Sequence, residues 1–158
     1  RDLHKAIRRQ RQMCIRDRLY EASQAGVDVD LVVRGNCSLM TGIHGVSDHI
    51  RIHGIIDRYL EHSRIFVFAA GGDEKVFLGS ADWMPRNLDH RIEVITPVYD
   101  PVIKGEMKRI VEYGLLDNVQ GRIVDGTGEN RFWEVSGESD FRSQEALYKY
   151  YLAENEKI

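Results

Sequence analysis

YLEHSRIFVFAAGGDEKVFLGSADWMPRNLDHRIE, residues 59–93, is the stretch whose pattern decides the fold. Within it, IFVF (65–68) and KVFL (75–78) are short apolar runs rich in aromatic and β-branched residues, and Gly71 and Gly72 lie between them. Such runs suit a pleated surface, and a glycine pair reverses a chain without steric cost, so the stretch predicts a β-hairpin. His62 and Arg64 stand at the mouth of the first strand, and Gly79, Ser80, Ala81, Asp82 and Trp83 follow the second. An imidazole, a guanidinium, a hydroxyl and a carboxylate are therefore expected to converge at one end of a sheet.

The flanking sequence extends this pattern in both directions. LYEASQAG (19–26) sets Leu19, Ala22 and Ala25 at helical spacing with Gly26 as the stop. VDVDLVV (27–33) alternates and then becomes continuously apolar, as a buried strand does. Arg34 and Gly35 end that strand, and NCSLMTGIHGVSD (36–48) reads as a loop of the length that usually carries function. A helix or helical turn is expected over 48–60, with Ser47 as its cap. RIEVITPV (91–98) reads as a strand, and Pro101 opens a helix to about Tyr113 with Val102, Met107, Ile110 and Val111 inward. GRIVDG (121–126) suits a short edge strand, and Ser143 to Ala153 an amphipathic helix with Leu147, Tyr150 and Tyr151 inward. About five strands and four helices in alternation predict an α/β sandwich. Its mixed β-sheet is flanked by helices, and the hairpin gives a locally antiparallel edge.

A chain of 158 residues, 42% hydrophobic and 30% charged, is long enough to bury a core. Its formal charge of −3 argues against a general nucleic-acid binder, so any anion site must be local. Cys14 and Cys37 are the two cysteines; they show no metal-ligand spacing, and reduced thiols in a cytoplasmic setting are expected. No apolar run approaches a transmembrane length. Residues 1–18 are dense in Arg and Lys, and Met13 to Arg18 (MCIRDR) translates a transposon-end sequence used in DNA library preparation. They are expected to be a leader foreign to the domain, the alternative being a natural basic amphipathic helix.

The candidate residues carry chemistry suited to phosphate. Arg34 lies at the carboxyl end of a predicted strand, where open α/β sheets hold ligands, and its planar fork suits bidentate phosphate binding. Pairing of Arg34 with an internal carboxylate is the alternative. The imidazole of His62 can donate a proton to a leaving oxygen or itself accept a phosphoryl group. The H-x-R spacing sets Arg64 on the same strand face, where its guanidinium can hold the phosphate on which the imidazole acts. Gly79 and Ser80 allow a phosphate close to the main chain, or simply a tight turn; Asp82 can orient the imidazole, or cap a helix. A second cluster holds Arg86, Asn87, Asp89, His90 and Arg91, with Trp83 as a pocket wall. No H-E-x-x-H, Walker loop or GxGxxG occurs, and no residue is assigned to a metal.

The order H-x-R, strand, glycine turn, strand, G-S-x-D resembles the H-x-K…G-S-x-N half-site of the phospholipase D superfamily, with Arg for Lys and Asp for Asn. LYEASQAGVDVDLVVRGNCSL, DRYLEHSRIFVF, FLGSADWMPRNLDHRIEV and FRSQEALYKYY more closely resemble signatures of the C-terminal catalytic domain of the type 1 polyphosphate kinase family, over about Leu19 to Leu152. The resemblance implies a phospholipase D-like fold. It also implies reversible transfer of the terminal phosphate of ATP to inorganic polyphosphate, through a phosphohistidine and with Mg2+. On that pattern Arg34 and His62 contact the ATP phosphates, and His62 is the acid to the leaving group. The phosphorylated histidine, the adenine-stacking tyrosine and the magnesium-associated arginines are expected upstream, so residues 19–158 are read as a fragment without activity of its own. Arg64 and Arg91 are secondary candidates for the polyanion, with Ser80 and Asp82 in support. ATP or ADP and polyphosphate are the expected partners, without nucleic acid, in a homo-oligomeric whole enzyme. A phospholipase D-type phosphodiesterase half-site and a non-catalytic polyphosphate- or nucleotide-binding module are the rival readings.

Overall fold

Residue 53 shows how the tertiary environment overrides local pattern. The expected helix over 48–60 is a strand, β2 (Ile50–Ile55), lying between β1 (Val29–Val33) and β6 (Gly121–Ile123). Ile50, Ile52 and Ile55 are buried, and β-branched side chains of this kind fit a central strand whose main chain is paired on both sides. Ser47 does not cap a helix here; its hydroxyl accepts the Ile43 N–H at 2.9 Å and closes the preceding turn. β1 runs parallel to β2, with Asp30 opposite Arg51, and these two form a bidentate pair at 2.6 and 3.0 Å. β6 runs antiparallel to β2, with His53 opposite Ile123.

The computed structural model describes residues 15–35, 37–84, 87, 90–133 and 139–156. The chain divides into two units, residues 1–21 with 62–108 and residues 22–61 with 109–158. The second unit holds the mixed sheet β1-β2-β6. The first holds an antiparallel sheet, β3 (Ile65–Phe68), β4 (Lys75–Gly79) and β5 (Ile95–Val98), in that order. The α/β class stands, but the strands divide between two three-stranded sheets rather than forming one. Alternation in a sequence marks a strand and leaves its partners undefined.

In the first unit the predicted hairpin is present, with Phe66 opposite Phe77 and Ile65 opposite Leu78. A 3-10 turn, Ala70–Gly72, reverses the chain, and Gly71 sits at φ +66°, a conformation that glycine adopts without strain. Val76 is the best buried side chain of this sheet.

β1 was expected to be buried throughout, yet Val32 is 41% exposed, because β1 is an edge strand of its sheet. Helix α1 covers residues 15–24 and ends at Gly26, which has φ +81°. Helix α2, Pro101–Leu116, begins where Asp100 accepts the N–H groups of Val102 and Ile103 at 2.8 and 3.0 Å. Its expected inner face is corrected at Val102, which is 72% exposed in the first turn, whereas Met107, Ile110 and Val111 are half-buried. In the second unit Gly114 abuts Val32, whose methyls lie 3.1 and 3.2 Å from where a Cβ would stand. Helix α3, Ser143–Asn155, half-buries Leu147 and Tyr150 but turns Tyr151 outward, against expectation. Arg109 stacks 4.1 Å above the Tyr150 ring and donates to its hydroxyl, which makes Tyr150 the inward partner of the pair.

Candidate functional site

At the open end of the hairpin, His62 precedes β3 and is exposed, while Arg64 folds back over it. The Arg64 guanidinium donates to the His62 carbonyl, and Nη1 faces the ring Nδ1 at 3.4 Å. Its Nε and Nη2 both reach Asp82 Oδ1, at 3.1 and 2.8 Å. Three predicted residues, His62, Arg64 and Asp82, thus form one network, in which Asp82 holds the guanidinium. Asp82 and Arg64 are only 24% and 17% exposed, so their charge-assisted bonds resist screening better than a surface pair.

β4 delivers Asp82 through a close approach. The Gly79 N–H donates to the Arg64 carbonyl at 2.8 Å, and a Cβ on Gly79 would lie 3.1 Å from the Phe66 ring. Phe66 in turn stacks on Trp83 at 5.4 Å and 12°. The indole expected as a pocket wall therefore packs on β3. Ser80 serves the neighbouring strand: its N–H donates to the Val94 carbonyl at 3.0 Å, its Oγ accepts the Val94 N–H at 3.0 Å, and its hydroxyl donates to Glu93.

Of the second predicted cluster, Asn87 is buried and donates to the Asp82 carbonyl at 3.2 Å, while His90 and Arg91 are exposed. Arg86 and Asp89 lie outside the described residues. Arg34 belongs to the other unit, where its guanidinium donates to the Glu61 carbonyl. The structure thus gives Arg34 a main-chain partner within its own unit, and joins His62, Arg64 and Asp82 within the first unit.

The sequence reading missed a buried polar hub in that second unit, at the start of α3. Arg142 grips Asp57 with Nε and Nη2 at 2.9 and 2.5 Å, and the Asp57 side chain is 2% exposed. Hydrogen bonds from Arg142 hold the Asp57 carboxyl below the usual range, and the same bonds raise the Arg142 pKa. Asp117, fully buried, accepts the N–H groups of Val119, Gln120 and Gly121 on Oδ1, and the Ser143 N–H and hydroxyl on Oδ2. Three consecutive polar residues opening an amphipathic helix, Arg142-Ser143-Gln144, were the available signal.

The sequence model of a protein family described as polyphosphate kinase C-terminal domain 2 matches residues 9–144. The chain belongs to that family. Its match begins within the first 18 residues, which are rich in Arg and Lys, and takes in Arg34, His62, Arg64, Ser80, Asp82 and Arg91. Among similar proteins is the polyphosphate kinase of Escherichia coli (strain K12), 48% identical over 134 residues, which are 85% of this chain and 20% of that protein. The polyphosphate kinase of Halalkalibacterium halodurans is 52% identical over 115 residues, 73% of this chain and 16% of that one. The crystal structure of polyphosphate kinase from Porphyromonas gingivalis superposes with a TM-score of 0.85 at 43% identity, over 91% of this chain and 22% of the other. The chain therefore spans about a fifth of the length of these family members.

Proposed function

We propose that this chain is the C-terminal part of an enzyme that reversibly transfers the terminal phosphate of ATP to inorganic polyphosphate. The supporting observation is 48% identity, over 85% of the chain, to a protein named polyphosphate kinase. In this reading a histidine in the preceding part of the longer protein attacks the γ-phosphorus in line. The bond to the β-phosphate oxygen breaks, and His62 donates a proton to that leaving oxygen. Attack by a terminal polyphosphate oxygen then breaks the phosphorus–nitrogen bond and lengthens the polymer. Phosphoryl transfer asks mainly for positioning and charge stabilisation, which Arg34, Arg64 and Arg91 would supply, with Asp82 fixing Arg64 and Ser80 fixing the strand beside it.

Magnesium would neutralise charge on the phosphates, but the described residues do not fit a resident site. No three His, Cys, Asp or Glu residues cluster among them, and Asp82 and Glu93 are engaged by Arg64 and Ser80. The reading therefore assigns the ion no ligand among the described residues. A phospholipase D-like arrangement, a homo-oligomeric whole enzyme without nucleic acid, and a cytoplasmic or peripheral inner-membrane location complete the proposal. Among the described residues, no helix is long and apolar enough to cross a membrane.

The test is ATP-dependent polyphosphate synthesis by the full-length protein, compared with residues 19–158 alone. Synthesis is expected only from the former. Turnover by the short chain would show that no upstream nucleophile is needed, and an inactive full-length protein would defeat the kinase reading.

A further inference from the structure

Gln144 is 7% exposed, and it spends its whole carboxamide on one irregular stretch of the second unit. Oε1 accepts the Tyr59 N–H at 2.9 Å, and Nε2 donates to the Tyr59 carbonyl at 2.7 Å and to Glu61 Oε1 at 3.1 Å. A side-chain amide that pairs with both main-chain groups of one residue copies a rung of a β-ladder. Two residues earlier the same stretch is gripped at Asp57 by Arg142. Two residues later its Glu61 carbonyl receives the Arg34 guanidinium.

We infer that Gln144 is a positioning residue for Arg34: it fixes the Tyr59–Glu61 main chain and thereby the carbonyl that aims the Arg34 guanidinium. The inference rests on the proposed reading of Arg34 as a phosphate contact. An arginine side chain has many rotamers, and a hydrogen bond to a carbonyl selects one direction only if the carbonyl itself stays put. Helix α3 provides that anchor, because Ser143 beside Gln144 is bound through its N–H and hydroxyl to the buried Asp117 carboxylate at 2.8 and 2.6 Å. Residues 57–61 carry no regular secondary structure of their own, so these side-chain bonds take the place of ladder bonds.

The test is steady-state kinetics of the full-length protein with ATP varied at fixed polyphosphate, for Arg34→Ala, Gln144→Ala and the double variant. Arg34→Ala should lower kcat/KM for ATP. Gln144→Ala should lower it roughly five- to tenfold, through KM rather than kcat, as loss of one or two hydrogen bonds predicts. In the Arg34→Ala background the same change should have no further effect, because it acts through the guanidinium. A Gln144→Ala enzyme with unchanged KM, or an effect that multiplies undiminished onto Arg34→Ala, overturns the inference and leaves the reading of Arg34 intact. Unchanged ATP kinetics in Arg34→Ala sinks that reading and the inference with it. Should Gln144→Ala fail to fold, Gln144→Glu keeps the length and the acceptor for the Tyr59 N–H but sets a second carboxylate against Glu61. Its KM for ATP should exceed that of the unmodified protein, because the new carboxylate faces Glu61 and the Tyr59 carbonyl without a donor to offer either. An unchanged KM also overturns the inference.

Discussion

The hairpin network and the hub at the start of α3 are both built from arginine, carboxylate and small polar side chains, yet they sit in different solvent. His62 stands exposed at the hairpin mouth, with Arg64 and Asp82 partly covered behind it. Asp57, Asp117, Ser143 and Gln144 are withdrawn from water almost completely. A polar group in water loses little when its partner is removed, whereas a buried one is left with its full desolvation cost. Substitutions in the hairpin should therefore register in the proposed chemistry, and substitutions of the hub carboxylates Asp57 and Asp117 mainly in stability.

The largest expected effect falls on the hairpin. In the full-length protein His62→Ala should lower the rate of polyphosphate synthesis roughly a hundredfold or more, with the melting temperature unchanged, as loss of a general acid does. A variant that melts early but turns over normally when folded would reverse the comparison. In the hub, Asp117→Ala removes the acceptor for five hydrogen bonds and should destabilise this chain by about 3 kcal/mol or more. The two tryptophans, Trp83 and Trp133, fall one in each unit, so urea unfolding of a Trp83→Phe background reports on the hub's unit alone. An equal loss reported by Trp83 in a Trp133→Phe background would erase the distinction between the regions. Arg64→Lys keeps the charge but loses the second bond to Asp82, and about a tenfold fall in kcat/KM is expected with little change in unfolding midpoint. An unchanged kcat/KM would remove Arg64 from the proposed phosphate site.

The smallest effect concerns pH and the second unit. His53 on β2 is buried against Trp133, its Nδ1 finding no partner among the described residues. Burial pushes its pKa below the ordinary 6.5, against the pull of Asp30 and with the help of Arg51. The unfolded chain then binds a proton before the folded one does. Stability is therefore complete above about pH 6.5 and declines as the pH falls through the interval below it. Urea midpoints of the Trp83→Phe chain should drop on acidification, and His53→Leu should flatten part of that slope. An unaltered slope would mean that other groups carry it.

The hairpin was legible because its parts are close in sequence. Eighteen residues separate Arg64 from Asp82, and an apolar run, a glycine pair and a second apolar run bring them together. The role of Asp82 was only half readable, since spacing puts a carboxylate near both His62 and Arg64 and geometry gives it to the guanidinium. The hub was illegible for the converse reason: 85 residues separate Asp57 from Arg142 and Tyr59 from Gln144, with no periodicity to announce either pairing. β2 was misread because its apolar residues keep to neither period alone, Ile50 and Ile52 sharing a strand face and Ile52 and Ile55 a helix face, and the choice was made by the strands on each side.

Asp117 has a consequence for how the second unit opens. The Asp117 carboxylate ties the amides of Val119, Gln120 and Gly121, which lead into β6, to the amide of Ser143, twenty-six residues beyond Asp117 in sequence. None of these N–H groups can exchange with solvent deuterium while the carboxylate holds its place. The two segments should consequently behave as a single opening unit, with the four amides exchanging together.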